Sequence, residues 1–435
     1  MKRSVDAKEL KEIASIIEII SKYVQLKKTG RTYKGLSPFT NEKTPSLIVN
    51  PEGQFFKDFS SGKGGDVFTF LMEYHRYSFK EALEEVAEYY GYSITNTFNK
   101  KKSGGKSVKE RLINLNNIAQ QEYRRQFKET ASGEIARQYI KKRSISSDMV
   151  DMFGIGYVPD EWNTITDLFI KANIPKEDLE KTDLVIKSRK NNKYYDRFRF
   201  RLMFPIYDEN DKLIGFGGRT LGKGKSTGTD PAKYLNSSDS ELFNKSSLLY
   251  NLNLAKNEIR EMETVIITEG YLDVIACYQN GIRNVVAPMG TALTPNQLKK
   301  LERYAKKIIL MFDGDRAGIN AAVKSIDIIF QTNLETSVVI LPEAQDPYDY
   351  LLKYGKDELK FLLNNAQDGL DFKLNNIAKN YDLKTAKGKE NFINQSFYFL
   401  NSTKNRIIIE VGLKKIAGIV KLPEDTIREY FKESK

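Results

Sequence analysis

The sequence predicts a multidomain protein that sets an α/β region among α+β surroundings, and three observations carry that expectation. From residue 264 onward, short apolar runs (Thr264 to Thr268, Val285 to Ala287, Ile308 to Phe312 and Val338 to Leu341) alternate with helical stretches, the pattern of a parallel sheet covered on both faces. Residues 1–97 instead mix amphipathic helices with strands joined by a tight turn, and residues 370–435 carry helical periodicity without strand signals. At 435 residues the chain has room for about three domains of roughly 150 residues each.

In chain order, Leu10, Ile13, Ile16, Ile17 and Ile20 recur at helical spacing and predict one amphipathic helix. Gly30-Arg31-Thr32-Tyr33-Lys34-Gly35-Leu36 is a basic, aromatic stretch punctuated by glycines. Ser46-Leu47-Ile48-Val49 and Gln54-Phe55-Phe56-Lys57-Asp58-Phe59 read as hairpin strands around Pro51-Glu52-Gly53. Gly62-Lys63-Gly64-Gly65-Asp66 is expected to end that sheet, with Asp66 capping the helix Val67 to Leu71. Ser78-Phe79-Lys80-Glu81 forms a capping box for a second helix, closed by Gly91. Residues 98–107 have linker composition. Helical patterns resume through residue 145, and a mixed segment runs to 256, with Phe200 to Ile206 and Leu213 to Phe216 expected to pair across an Asn210-Asp211 turn. The expected partition is 1–97, a linker at 98–107, then 108–256, 257–369 and 370–435.

The 69 Lys and Arg outnumber the 57 Asp and Glu, a formal charge of +12. That balance favours a polyanionic partner, nucleic acid first, although a lysine-biased composition alone produces it. No apolar run approaches the roughly 20 residues of a transmembrane helix, and Met1-Lys2-Arg3-Ser4 opens a mixed polar helix, so a cytoplasmic protein without a membrane partner is expected. The single cysteine, Cys277, excludes an internal disulfide, and with the single histidine, His75, it cannot complete a Cys/His zinc set. Carboxylate, lysine or arginine chemistry with hard cations remains. Cys277 and Trp162 read as packing residues, His75 as a helix end, and Gly154-Ile155-Gly156 lacks the context of a dinucleotide site.

Acids gather where the predicted strands end. Val265 to Thr268 leads into Glu269-Gly270, Ile308 to Phe312 into Asp313-Gly314-Asp315, and Val338 to Leu341 is soon followed by Asp346-Pro347. Ligands of an open parallel sheet sit beyond the carboxyl ends of its strands, and mutual repulsion makes such a gathering costly without a cation. Oxygen donors select Mg²⁺ or Mn²⁺, which suits phosphoryl transfer. A bland alternative is that each acid caps the helix that follows it. Upstream, Arg197, Arg199 and Arg201 alternate along an expected strand and would share a face; with Arg219, Lys233 and Lys245 they could bind phosphates, and Tyr234 could stack on a base.

Thr268-Glu269-Gly270-Tyr271-Leu272-Asp273-Val274, Met289-Gly290-Thr291-Ala292-Leu293-Thr294 and Phe312-Asp313-Gly314-Asp315-Arg316-Ala317-Gly318 resemble the Toprim domain of bacterial DnaG-type DNA primases. Tyr195 to Ile206, Gly215-Phe216-Gly217-Gly218-Arg219 and Lys233-Tyr234-Leu235-Asn236-Ser237 resemble the basic subdomain preceding it, and residues 1–97 the family's zinc-ribbon domain. The resemblance implies that Glu269, Asp313 and Asp315 are catalytic, metal-holding acids with Asp273 and Asp346 as accessory ligands. It also implies that Arg197, Arg199, Arg201, Arg219, Lys233, Tyr234, Asn236 and Lys245 bind nucleotide or template. Mg²⁺ or Mn²⁺, ribonucleoside triphosphates, single-stranded DNA and an RNA–DNA product follow, in a bacterial cell or a phage-infected one.

Two departures stand out. Where the family carries Asp-Pro-Asp, this chain has Asp346-Pro347-Tyr348, so Asp349 takes over or an outer metal position is weak. Where the family carries its four zinc ligands, this chain has Ser37, Thr40, Asp58 and Ser61, so no zinc is expected, with Phe39, Phe55, Phe56, Phe59 and Phe68 supplying the core. Lys34, Lys43, Lys57 and Lys63 could still meet template DNA. Family members normally carry a helicase-binding domain after the helical region, and this chain stops there, as a phage or plasmid primase or a cut chain would; a replicative helicase is nevertheless a candidate partner. A Toprim nuclease or topoisomerase, with a nucleophilic tyrosine among the 24 present, and a non-catalytic single-stranded DNA-binding protein are the alternatives.

Overall fold

The computed structural model describes residues 4–5, 7–75, 77, 79–94, 107–222, 231–290, 292–403 and 405–434. The chain divides into two compact units, Met1–Gly105 and Lys106–Lys435. The expected linker lies outside the described residues except for Ser107, which caps the helix Val108–Glu129. Ser78 of the expected capping box also lies outside them.

The first unit is built on a five-stranded antiparallel sheet in the order Lys27–Thr29, Thr32–Gly35, Leu47–Asn50, Phe55–Asp58, Gly64–Gly65. The glycine pair therefore extends the sheet as an edge strand, where it was expected to end it. Asp66 accepts the Thr69 N–H at 3.0 Å and caps the helix Val67–His75 as expected. The first helix is broken into Ala7–Ile13 and Ile16–Ile20, because the Ser15 side chain caps the second piece by accepting from the Glu18 N–H. Leu10, Ile16, Ile19 and Ile20 are buried, whereas Ile13, expected on the same apolar face, is 41% exposed at the break. Strand alternation decides which aromatics enter the core. Phe56 and Phe68 are buried, whereas Phe55 and Phe59, expected inside, are 44% and 66% exposed.

In the second unit a four-stranded antiparallel sheet runs Tyr234–Asn236, Leu213–Thr220, Arg201–Tyr207, Gly156–Val158. A six-stranded sheet follows in the order Leu249–Tyr250, Val285–Pro288, Thr264–Ile267, Lys307–Phe312, Glu335–Ile340, Gln367–Asp368. Its inner four strands are parallel and its two edges antiparallel. Successive residues point to opposite faces, so Ile266, Ile309 and Met311 enter one core while Val265, Ile267, Ile308 and Leu310 enter the other. Burial on both faces explains why these strands are apolar at every position. Helices Gly369–Ala378, Ala386–Ser402, Arg406–Val420 and Glu424–Glu433 complete the chain. Cys277 is fully buried, as expected. Among the described residues no helix is long and apolar enough to cross a membrane. The multidomain α/β and α+β architecture is the one the sequence predicts.

Candidate active site

The parallel register fixes where the acids emerge. Thr264–Ile267 runs out through Thr268 to Glu269, the adjacent Lys307–Phe312 runs out to Asp313, and Glu335–Ile340, next in the sheet, leads to Asp346. Three of the five predicted acids do cap helices. Asp273 Oδ2 accepts the Gly270 N–H at 3.0 Å, Asp315 Oδ1 the Gly318 N–H at 2.7 Å, and Asp346 Oδ1 the Asp349 N–H at 2.7 Å. Glu269 and Asp313 cap no helix among the described residues. Glu269 Oε1 accepts the Asp313 N–H at 3.2 Å, and Asp313 Oδ1 is buried without a hydrogen-bond partner among the described residues.

These acids disfavour their own ionisation. Burial, then repulsion from Glu269, Asp346 and Asp315, pushes the Asp313 carboxyl up to about 7, with Lys233 opposing. Burial raises Asp273 well above the carboxylate range, helped by Asp346 and Asp313. Glu269 reaches solvent yet is raised too, first by desolvation among the strand ends, with Asp315 adding to it. Apolar strands have no folding need for such a cluster.

Beside the acids lies a cavity of about 360 Å³ lined by Glu269, Asp273, Asp313 and Asp346 on one side and by Arg143, Arg219, Lys233, Tyr234 and Asn236 on the other. Arg219 sits 4.5 Å from the Tyr139 ring centre, and its Nε and Nη1 are buried without hydrogen-bond partners among the described residues. Asn236 ties the walls together, since its Nδ2 donates to the Met289 carbonyl at 2.9 Å and its Oδ1 accepts from the Tyr271 hydroxyl at 2.6 Å. Tyr234 packs edge-on to Tyr271, and burial pushes its hydroxyl up to about 12.

The remaining predicted residues fall elsewhere. Asp315 and Lys245 do not line the cavity. The three alternating arginines do not share a strand face, because the strand Tyr194–Asp196 ends before them and Phe200 takes a φ of 51°. Arg197 lies 3.3 Å from Asp183, Arg199 packs 4.2 Å from the Trp162 ring centre, and Arg201 is buried, donating to the Gly218 and Ala232 carbonyls. Trp162, read as a packing residue, packs against Arg199 and Tyr195 while staying 49% exposed. Asp349 also stays out of the cavity: its carboxylate is 3.7 Å from Arg143, and Tyr348 is buried beneath that arginine. Arg143 was missed in the sequence because Lys141-Lys142-Arg143 reads as the basic last turn of a helix.

The all-oxygen, mutually repulsive set with an orphaned Asp313 oxygen fits a hard divalent cation. Among the described residues no three acids are drawn into a closed ligand set, which follows from the capping of Asp273, Asp315 and Asp346. A zinc ion does not fit the first unit's four positions. Asp58, fully buried, accepts from Ser37 Oγ at 2.9 Å, Ser61 N–H at 3.0 Å, Ser46 Oγ at 3.0 Å and Ser60 Oγ at 3.1 Å, and from the Ser61 hydroxyl. Thr40 joins through Ser60 at 2.7 Å. Burial alone would raise Asp58, but the bonds from Ser61, Ser37 and Ser46 outweigh it and hold the carboxyl below its usual range. Hydroxyls spent as donors to one carboxylate are not a zinc donor set.

Residues 2–102 match the CHC2 zinc finger family, 122–256 the N-terminal domain of the DNA primase catalytic core, and 266–351 the Toprim-like family. The DNA primase of Clostridium acetobutylicum is 37% identical over 349 residues, covering 80% of this chain, and the chain matches 56% of that relative's length. The zinc-binding and RNA polymerase domains of the Aquifex aeolicus primase superpose with a TM-score of 0.62 at 31% identity, covering 98% of this chain and 99% of that one. A DnaG catalytic domain bound to single-stranded DNA gives a TM-score of 0.65 at 27% identity, over 73% of this chain and 99% of its own. With the Aquifex aeolicus domains matched over nearly their whole length at 31% identity and all three family regions in order, the chain belongs to the DnaG-type primase family, carrying its zinc-ribbon, catalytic-core and Toprim regions.

Proposed function

We propose that this chain is a template-directed RNA polymerase that joins ribonucleoside triphosphates on single-stranded DNA and releases pyrophosphate, leaving a short primer. The observation that carries the reading is the cavity in which raised, repulsive carboxylates face Arg143, Arg219 and Lys233. Membership of the primase family supports it, as does the net charge of +12. In this reading Glu269, Asp313 and Asp315 hold Mg²⁺ or Mn²⁺, with Asp273 and Asp346 behind them. A divalent cation held by these acids would supply the chemistry that lowers the pKa of an attacking 3′-hydroxyl and offsets charge on the departing pyrophosphate. The unpartnered Arg219 N–H groups and Lys233 take the triphosphate oxygens. Tyr234 and Asn236 shape the wall between nucleotide and acids. Arg199 on Trp162 forms a half-exposed cationic and aromatic surface that suits template. The same reading assigns 108–256 to the basic subdomain, 257–369 to the catalytic Toprim subdomain and 370–435 to a helical subdomain.

The first unit, in this proposal, keeps its fold without zinc: the carboxylate of Asp58 gathers the Ser37 and Ser61 hydroxyls and the Ser61 N–H, joining the two loops that a zinc ion would otherwise join. Of the lysines considered for template contact, Lys57 donates to the Gly62 carbonyl and Lys63 pairs with Glu73.

Incubating the full chain with single-stranded DNA, labelled ribonucleotides and Mg²⁺ or Mn²⁺ tests the activity. New oligoribonucleotides are expected. Cleaved template would assign the acids to a nuclease, and binding alone to a non-catalytic protein.

A further inference from the structure

Arg143 is held by a residue that does not itself line the cavity. It closes the helix Glu134–Lys142, and its Nε donates to the Tyr139 hydroxyl at 3.1 Å. Its guanidinium lies 4.6 Å from the ring centre of Tyr348 and 5.9 Å from that of Tyr139. Tyr348 is 6% exposed, and its hydroxyl donates at 3.3 Å to the carbonyl of Lys142, the residue before Arg143. The ring is thus anchored in its own helix, Pro347–Asn364, and again to the helix that presents the arginine. Asp346, the N-cap of the former helix, lines the cavity. One short turn therefore delivers an acid to the cavity and a platform beneath its arginine.

The choice of an aromatic at this position has an electrostatic consequence. A carboxylate beside Arg143 would orient the guanidinium but cancel its charge. A ring face orients it and leaves the charge for a ligand. Asp349, at 3.7 Å, is 55% exposed and so weakly neutralising. An arginine side chain gives up considerable rotamer freedom on binding, so a stacked guanidinium spares a ligand that cost.

We propose that Tyr348 is a positioning residue that holds Arg143 in the cavity wall as a pre-set cation for a polyphosphate, in this site the triphosphate of the incoming nucleotide. The proposal rests on the nucleotide reading of the cavity. A tyrosine that only filled the core would give the same burial, so the test must separate packing from orientation. Calorimetry on the full chain with Mg²⁺, using ATP and inorganic tripolyphosphate as probes, compares wild type with Tyr348→Phe, Tyr348→Leu, Arg143→Ala and the Arg143→Ala/Tyr348→Leu pair. Tyr348→Phe keeps the ring face and should bind as wild type. Tyr348→Leu should weaken both probes about three- to tenfold, the range of a cation–ring contact, and should have no further effect once Arg143 is gone. Wild-type affinity in Tyr348→Leu alongside a weakened Arg143→Ala overturns the positioning role, as does an equal loss with and without Arg143. Failure of the wild type to bind either probe, or an Arg143→Ala that binds normally, instead overturns the nucleotide reading, and the positioning role falls with it.

Discussion

Replacing Asp58 tests whether a carboxylate has taken over the organising task of a metal. Asp58 is fully buried and collects the Ser37 hydroxyl, the Ser61 N–H and hydroxyl, and the Ser46 and Ser60 hydroxyls. In Asp58→Ala, Ser37, itself 8% exposed, and the Ser61 N–H lose their acceptor, whereas the exposed Ser60 can turn to water. Each stranded buried donor costs about 1–3 kcal/mol, so the first unit should lose about 3 kcal/mol. Asp58→Asn keeps one accepting oxygen and should lose about half as much. Hydrogen exchange on the full chain reads this unit by itself. At about 1.4 kcal/mol per tenfold, amides of Leu47–Asn50 and Phe55–Asp58 should exchange about a hundredfold faster in Asp58→Ala, with the second unit unchanged. Wild-type protein should carry far less than one zinc per chain, and a chelator should leave its exchange untouched. Stoichiometric zinc, or chelator-induced exchange matching that of Asp58→Ala, would falsify the carboxylate account.

Acid should act on the same network. Because Asp58 is held below its unfolded value, its stabilisation is complete above about pH 4 and is lost as pH falls through the lower folded value; exchange in the first unit should accelerate there in wild type and less in Asp58→Asn. Asp313 has the opposite sign. Its carboxyl is raised to about 7, so in chelated buffer its ionisation costs stability progressively from about pH 4 up to pH 7 and fully above. Asp313→Asn should therefore melt at or above wild type at pH 8 while abolishing primer synthesis, as should Glu269→Gln; near-normal synthesis in either variant would remove that acid from the proposed site. Arg201→Ala should lower the melting temperature of the second unit, because it strands the Gly218 and Ala232 carbonyls, whereas Arg199→Ala should leave the melt near wild type and weaken single-stranded DNA binding in a salt-dependent way.

The parallel sheet and its acidic edge were legible because both are written locally. A buried strand has to be apolar at every position, so a charged residue directly after it stands out, as Glu269 and Asp313 do. What the sequence concealed are features decided by single backbone angles or by distant partners. The positive φ of Phe200 breaks the expected run of Arg197, Arg199 and Arg201, and nothing in an alternating pattern announces it. Ser15 restarts a helix and Ile13 is left exposed before it, which the apolar spacing alone does not announce. Phe55 and Phe56 differ in fate because strand register, set by pairing with Asn50 and Val49, turns one out and one in. Arg143 and Tyr348 are far apart in the chain, so their stacking leaves no local trace.

The two departures from the family pattern share a physical logic. A metal-ligand position that has merely decayed leaves its former neighbours with unpaired polar groups, because those neighbours were arranged around a charge that is gone. Among the described residues, Ser37, Thr40, Asp58 and Ser61 each have a hydrogen-bond partner within the first unit. Glu42 reinforces them from the other side, accepting the Ser37 N–H at 2.7 Å and the Ser46 N–H at 3.0 Å. Tyr348, standing where the resemblance implies an acid, is likewise tied by its hydroxyl and covered by Arg143. The contrast is Asp313, whose buried oxygen has no such partner among the described residues. At the four family zinc positions the polar groups have closed on one another. At the strand ends a carboxylate oxygen has been left open, which is the arrangement that the proposed cation site requires.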